Sequence, residues 1–197
     1  MIICTPRQTK SQHGEVFLSI SSVLAEMLSS IESDLKFITY RDHKLLSDLA
    51  DGVINPTLVV LSGGEDFGSY AERDRYETRL AELCIAKEIP LVGICRGMLV
   101  IGKVFGFDLA PIEGHVGTLH KICFLDSGES AIVNSYHNWV LQGYSPSINI
   151  LAFDEAGNIE ALKHREKPIE CWMWHPERDN GIRDKIMRRI SVLIGVN

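Results

Sequence analysis

A cysteine stands between two glycines in the segment Gly93-Ile94-Cys95-Arg96-Gly97. This G-x-C-x-G spacing is the cysteine form of the nucleophile elbow, a strained turn that joins a strand to a helix. Flanking glycines let such a turn form without side-chain clashes, and the helix dipole behind it favours negative charge on the sulfur. The segment is typical of a cysteine nucleophile, with the N–H of Arg96 facing any oxyanion that its attack forms. A buried core cysteine is the alternative.

A cysteine nucleophile requires a base, and the best candidate is the histidine of His175-Pro176-Glu177. The proline disfavours helical geometry at His175, which therefore ends an extended segment. Residues two apart in an extended segment face the same side, so Glu177 can orient the His175 ring and stabilise its charged form. A surface histidine beside an exposed glutamate is the alternative for this segment taken alone.

A glycine loop, Ser62-Gly63-Gly64, follows the apolar run 57–61 and offers a second backbone N–H, that of Gly64, to an oxyanion. Taken alone, it is equally typical of an ordinary turn between a strand and a helix. All three segments follow predicted strands, and ligands bind at the carboxyl ends of parallel strands. Their joint placement at one sheet edge supports acyl transfer.

The elements that must position these residues alternate along the first half of the chain. Hydrophobic patterns predict strands at 1–5, 35–40, 57–61 and 90–94, and helices at 15–31, 72–88 and 98–105. Such alternation predicts a three-layer, flavodoxin-like α/β fold with a mostly parallel sheet. From about residue 115, the runs HKICFL, AIVNSY, INILAF, NIEALKH and PIECWMW predict a smaller antiparallel region, followed by a helix at 181–194. We expect one domain over 1–197.

The composition, net charge and apolar runs of the sequence argue against several classes of function. The chain has 197 residues, 45% of them hydrophobic, and a formal net charge of -6, which argues against binding to a nucleic-acid backbone. The N-terminus turns basic after an apolar start, and the longest apolar region contains Arg96 and Lys103, so neither a secretory signal nor a membrane span is indicated. We expect a soluble cytoplasmic protein without a nucleic-acid or membrane partner.

The five cysteines are scattered and form no C-x-x-C pair. The histidines also lack the chain spacing that is typical of zinc ligands. We therefore expect free thiols, no metal site and no cofactor.

Six segments resemble, in order, the class I glutamine amidotransferase superfamily, and most closely its γ-glutamyl hydrolase branch. They are LVVLSGGED at 58–66, RDRYE at 73–77, IPLVGICRGM at 89–98, VNSYHNWV at 133–140, GNIEALKH at 157–164 and WHPE at 174–177. The resemblance implies that Cys95 is the nucleophile, His175 the base and acid, and Glu177 the orienting carboxylate. Gly64 and Arg96 would supply the oxyanion N–H groups.

The resemblance also implies a site for the glutamyl group. The backbone around Ser135 and Tyr136 would hold its α-amino and carboxylate groups, with Asn134 and His137 as further candidates; a structural turn is the alternative for these two. One departure concerns Leu99, which stands where many members have glutamine, so the resemblance does not imply a side-chain contact to the glutamyl group at this position. Others are Asn138 and Trp139, where the hydrolase branch often has histidine and glutamine.

Two enzyme functions and one binding function are compatible with these residues. The first is stand-alone hydrolysis of a small γ-glutamyl amide. The second is a glutaminase subunit that delivers ammonia to a synthase partner, since this chain has no room for a synthase domain. The third is a non-catalytic binding module, against which the intact Cys95, His175 and Glu177 argue.

The leaving group of the substrate is what distinguishes these functions. Arg7 and Lys10 follow the first predicted strand and could lie over the sheet edge that carries the candidate catalytic residues. Both side chains are suited to binding a phosphate group there. A solvated loop is the alternative for this region.

Overall fold

The computed structural model describes residues 1–178 and 181–196. Within these ranges the strands are β1 (Ile2–Thr5), β2 (Arg7–Lys10), β3 (Val16–Ser19), β4 (Leu35–Phe37), β5 (Leu58–Leu61), β6 (Leu91–Ile94), β7 (Asp108–Pro111), β8 (Val116–Phe124), β9 (Ser130–Tyr136), β10 (Trp139–Gln142), β11 (Ile148–Asp154), β12 (Ile159–His164) and β13 (Ile169–Trp172). The helices are α1 (Ser22–Ser29), α2 (His43–Ala50), α3 (Ala71–Lys87), α4 (Arg96–Val104) and α5 (Arg183–Leu193), with a short 3-10 helix at Pro176–Arg178.

Nine of these strands form a single mixed sheet in the order β4-β1-β5-β6-β13-β12-β11-β8-β9. The pairings from β4 to β13 are parallel, and those from β13 to β9 are antiparallel. The expected α/β fold, with a parallel sheet and an antiparallel region in the second half, is confirmed. Strand β13 joins the two regions and leads directly to His175.

The parallel strands are buried on both faces, which explains their continuous apolar runs. Along β1, Ile3 packs into one core with side chains of α2, α3 and α4, whereas Ile2 and Cys4 pack into the other with side chains of α1 and α5. The alternation follows from the two-residue period of a strand. Helices therefore cover both faces, as the three-layer prediction requires.

The predicted helix at 15–31 is wrong in its first part. Val16–Ser19 forms strand β3, which pairs antiparallel with β2, and the helix is confined to Ser22–Ser29. The apolar side chains of Val16, Phe17 and Leu18 are 40–50% exposed, so their spacing reflects a surface hairpin instead of a buried helical face. Arg7 and Lys10 consequently lie on a strand and not in a loop.

Other differences are smaller. Helix α4 begins at Arg96 instead of residue 98, helix α2 was not predicted, and neither was the two-stranded sheet of β7 and β10. Among the described residues, no helix combines the length and apolar character needed to cross a membrane.

Candidate active site

Cys95 occupies the sharp turn between β6 and α4. Its backbone has φ 51° and ψ -107°, a left-handed conformation that costs energy in any residue with a side chain. The Cys95 N–H donates to the Trp172 carbonyl at 2.7 Å, which ties the turn to β13. The predicted elbow is therefore present, and it is strained.

The two glycines of the elbow are required by close backbone contacts. A Cβ at Gly97 would lie 2.1 Å from the carbonyl oxygen of Leu61, and a Cβ at Gly93 would lie 2.8 Å from the backbone of Gly97. Strand β5, strand β6 and the start of α4 consequently approach one another more closely than any larger residue allows. The first N–H groups of α4 have no acceptor within the helix, and that of Arg96 is one of them.

His175 follows β13 and its ring contacts both predicted partners. Nδ1 lies 2.7 Å from Oε1 of Glu177, and the Cys95 side chain is close enough to the same ring to raise its pKa. Each of these three residues is only 4% exposed. The structure thus brings Cys95, His175 and Glu177 together, although Glu177 reaches the ring through the 3-10 turn at Pro176–Arg178 and not along an extended strand.

The electrostatics favour a protonated His175. Burial alone would lower the pKa of this imidazole, but hydrogen bonds and negative charge from Cys95 and Glu177 outweigh burial and raise the pKa to about 9. An imidazolium beside a cysteine is the general arrangement that activates a thiol for nucleophilic attack.

Asn134 holds the backbone of His175 through both ends of its amide. Its Nδ2 donates to the His175 carbonyl at 2.9 Å, and its Oδ1 accepts the His175 N–H at 3.0 Å. The Tyr136 ring stands edge-on to the imidazole, with 5.8 Å between ring centroids. A Cβ at Gly63 would lie 2.5 Å from His175 Cε1, so this glycine makes room for the ring. The side chain of Asn134 is thus engaged in positioning His175.

A buried ion-pair network explains the RDRYE segment on α3. The guanidinium of Arg96 pairs with the carboxylates of Asp74 and Glu77, and Arg73 Nε lies 3.1 Å from Glu77 Oε1. Arg73, Glu77 and Arg96 are at most 2% exposed. Sequence reasoning treated Arg96 only as a backbone donor and missed the role of its side chain.

The same network reaches the glycine loop after β5. Arg73 Nη2 donates to the carbonyl oxygens of Ser62 and Gly63 at 3.1 and 3.0 Å. A Cβ at Gly64 would lie 2.4 Å from Arg73 Nη1, and Gly64 has φ +146°, so only glycine suits this position. Helix α3 therefore fixes the loop and the elbow relative to each other, and with them both predicted oxyanion donors.

A cleft of about 180 Å³ opens beside His175. Arg7, Gly63, Gly64 and Arg178 contribute to its walls. Arg7 pairs with Glu65 at 2.9 Å and remains 45% exposed at its side chain. Lys10 is exposed on the same strand but does not line the cleft. Arg178 was missed, although its position directly after the HPE segment is a usable signal.

The remaining predicted residues point elsewhere. The Ser135 hydroxyl donates to the His115 carbonyl at 2.6 Å, and His137 Nδ1 lies 3.0 Å from the Trp139 carbonyl. These side chains are buried away from the cleft, which leaves the backbone of this segment for any glutamyl contact. Leu99 is also buried, in the core beside α3.

Comparison with known proteins identifies the family of the chain. A family model described as glutamine amidotransferase class-I matches residues 15–192. The chain therefore belongs to the class I glutamine amidotransferase family, as the segment resemblance implied.

Relatives within this family differ in their described activities. The chain is 38% identical over 132 residues to the γ-glutamyl-CDP-amidate hydrolase of Campylobacter jejuni, a match that covers 64% of each chain. It is 31% identical over 137 residues to the carbamoyl phosphate synthase small chain of Polynucleobacter necessarius, over 66% of this chain and 33% of that one. The matches thus span less than two thirds of the length of these relatives.

The fold is also found in solved structures. A Thermoplasma acidophilum protein assigned to GMP synthase superposes with a TM-score of 0.75, covering 99% of this chain and 94% of that one. The two sequences are 15% identical, so the likeness concerns the fold alone.

Proposed function

We propose that this chain is a cysteine hydrolase of a γ-glutamyl amide and acts through a γ-glutamyl thioester on Cys95. The observation that carries the proposal is the buried contact chain from the strained Cys95 through the His175 ring to Glu177, with 2.7 Å between Nδ1 and Oε1. In this proposal His175 is the base and acid, and Glu177 orients the ring.

The proposed reaction has two halves. The Cys95 sulfur attacks the γ-carbonyl carbon, and the N–H groups of Gly64 and Arg96 stabilise the oxyanion. His175 gives its proton to the departing nitrogen as the C–N bond breaks, which leaves the thioester. A water molecule then attacks the same carbon and gives a proton to His175, and the C–S bond breaks to release glutamate.

We further propose that the leaving group is a phosphate-bearing amidate, with γ-glutamyl-CDP-amidate as the substrate and cytidine diphosphoramidate as the second product. The guanidinium groups of Arg7 and Arg178 at the cleft support this, since guanidinium suits phosphate geometry. The name of the Campylobacter jejuni relative supports the same substrate. A role in capsule phosphoramidate biosynthesis, in the cytoplasm, is part of this proposal.

A second candidate is the glutaminase subunit of a two-chain amidotransferase. The similarity to a carbamoyl phosphate synthase small chain favours it, because that relative is by its name one chain of a synthase. Both candidates share the attack by Cys95 and differ in the leaving group and in the need for a partner.

Glutamate release by the purified chain separates the two candidates. We expect fast release from γ-glutamyl-CDP-amidate and slow release from L-glutamine, without any partner. Arg7→Met should raise KM for the amidate and leave KM for a γ-glutamyl peptide unchanged, whereas Lys10→Met, outside the cleft wall, should change neither. Release from glutamine alone, stimulated by an added synthase, would contradict the hydrolase proposal.

A further inference from the structure

Three histidines and a glutamate meet in the antiparallel part of the sheet, apart from the candidate active site. His115 precedes β8, His120 lies within β8, His137 follows β9 and Glu160 lies on β12. One ring nitrogen each of His115 and His120 and one carboxylate oxygen of Glu160 all lie within 4.8 Å of one another. His137 joins them, with its Nε2 at 3.5 Å from Glu160 Oε1. Chain spacing gave no hint of this cluster, because its members come from three different strands and their ends.

The cluster contains buried polar atoms without hydrogen bonds. The Glu160 side chain is 0% exposed, and its two oxygens face Nε2 of His120 at 3.3 Å and Nε2 of His137 at 3.5 Å without meeting hydrogen-bond geometry. Among the described residues, Nε2 of His137, both ring nitrogens of His120 and Nδ1 of His115 likewise have no hydrogen-bond partner. A buried carboxylate in this state is costly unless another group compensates it.

Further polar groups lie behind two of the rings. His137 Nδ1 lies 3.0 Å from the Trp139 carbonyl, and Nε2 of the same ring lies 3.5 Å from Glu160 Oε1. His115 Nε2 lies 3.7 Å from Oδ2 of Asp154, which leaves Nδ1 as its free nitrogen. A backbone carbonyl and a carboxylate behind histidine ligands are the usual supports of a metal site.

The chemistry of the donor set suits one divalent ion. Imidazole nitrogens with a carboxylate oxygen suit Zn²⁺ and similar transition metals. Tetrahedral zinc places neighbouring nitrogen and oxygen ligands roughly 3.3 Å apart. Nε2 of His120 lies 3.3 Å from Glu160 Oε2, and Nε2 of His137 lies 3.5 Å from the other oxygen, Oε1. The His115 and His120 side chains are 14% and 17% exposed and give an ion access from solvent.

We propose that His115, His120, His137 and Glu160 form a structural site for one divalent transition-metal ion of the Zn²⁺ class. The ion would tie β8, the end of β9 and β12 together. Ser135 donates to the His115 carbonyl, and β9 also carries Asn134, which holds His175. Metal binding therefore stabilises the segment behind the candidate active site. This proposal does not depend on the proposed hydrolase activity.

The test is a titration of the metal-free chain with Co²⁺ and then Zn²⁺ in a Cys95→Ala background, which removes the thiol beside His175 as a competing ligand. We expect one equivalent of Co²⁺ with a tetrahedral ligand-field spectrum and no thiolate charge-transfer band. With Zn²⁺ at about 100-fold above Kd, the melting temperature should rise by roughly 5–10 °C.

Variants identify the ligands. Glu160→Gln and His120→Ala should each weaken Co²⁺ binding at least about 100-fold, since loss of a direct ligand exceeds the effect of an outer-shell change. His43→Ala, which removes an exposed histidine on α2, should bind Co²⁺ like the parent. Because His120 is partly exposed, we expect His120→Ala to fold, and it tests the ligand assignment if Glu160→Gln does not fold. No binding by the parent, or binding that both variants retain, would overturn the proposal.

Discussion

Replacing Arg96 with methionine tests whether the buried network on α3 holds the elbow in place. The substitution keeps an unbranched apolar stem and removes the guanidinium that pairs with Asp74 and Glu77. Glu77 is 0% exposed, and Arg73 is then its remaining cationic partner. Removing one partner of a buried ion pair costs about 3–5 kcal/mol, because the other charge stays buried.

The predicted cost is large enough to measure by two assays. Urea unfolding should report the loss directly, and thermal unfolding should show a melting temperature lower by roughly 6–20 °C for a chain of this size. Arg96→Lys should lie in between, because a single ammonium cannot reproduce the two-carboxylate contact of a guanidinium. The value of kcat should fall in the same order, since the elbow carries Cys95.

An exposed ion pair that involves the same helix supplies the matched control. Arg41 pairs with Glu72 of α3 at 2.8 Å, but the Arg41 side chain is 80% exposed. Arg41→Met should leave stability and kcat close to those of the parent, as exposed pairs contribute little. Equal stability of Arg96→Met and Arg41→Met would refute the positioning role of the network.

Three further predictions concern His175. Glu177→Gln should lower kcat about 10²- to 10⁴-fold with little change in KM, because the ring loses its orienting charge; unchanged kcat in steady-state assays would count against that role. Gly63→Ala should lower kcat, since the new Cβ meets His175 Cε1 at 2.5 Å, whereas Gly102→Ala, with the same distance to Leu141 Cδ1, should cost stability and spare kcat. Folding raises the pKa of His175 from its ordinary value of 6.5 to about 9. Protonation of His175 therefore stabilises the fold at pH values below 6.5, and this contribution is lost as the pH rises toward about 9. The unfolding free energy of the parent should therefore fall over that range by more than that of His175→Gln, and parallel curves would contradict the assignment.

Local segments let the sequence predict much of this site. The elbow glycines, the buried strands and the His175–Glu177 proximity follow from residue types that act within a few positions of each other. The predicted fold is confirmed for the same reason, since each buried parallel strand leaves a continuous apolar run.

Features that depend on distant pairing could not be predicted. The β2–β3 hairpin carries apolar residues on an exposed surface, so its pattern imitated a helix. The side-chain role of Arg96 requires carboxylates on another helix, and the cluster around Glu160 requires three strands to meet. Arg178 enters the cleft through a turn whose geometry is set by Pro176 and the fold together.

A covalent γ-glutamyl intermediate on Cys95 is the central step of the proposed function, and intact-protein mass spectrometry after rapid acid quenching tests it most directly. With γ-glutamyl-CDP-amidate in excess, the parent chain should gain the mass of one γ-glutamyl group, mapped by digestion to the peptide that contains Cys95. Cys95→Ala should gain no mass and release no glutamate while its unfolding curve stays close to that of the parent. Glutamate release by Cys95→Ala at the parent rate, or an adduct that maps to another residue, would contradict the account.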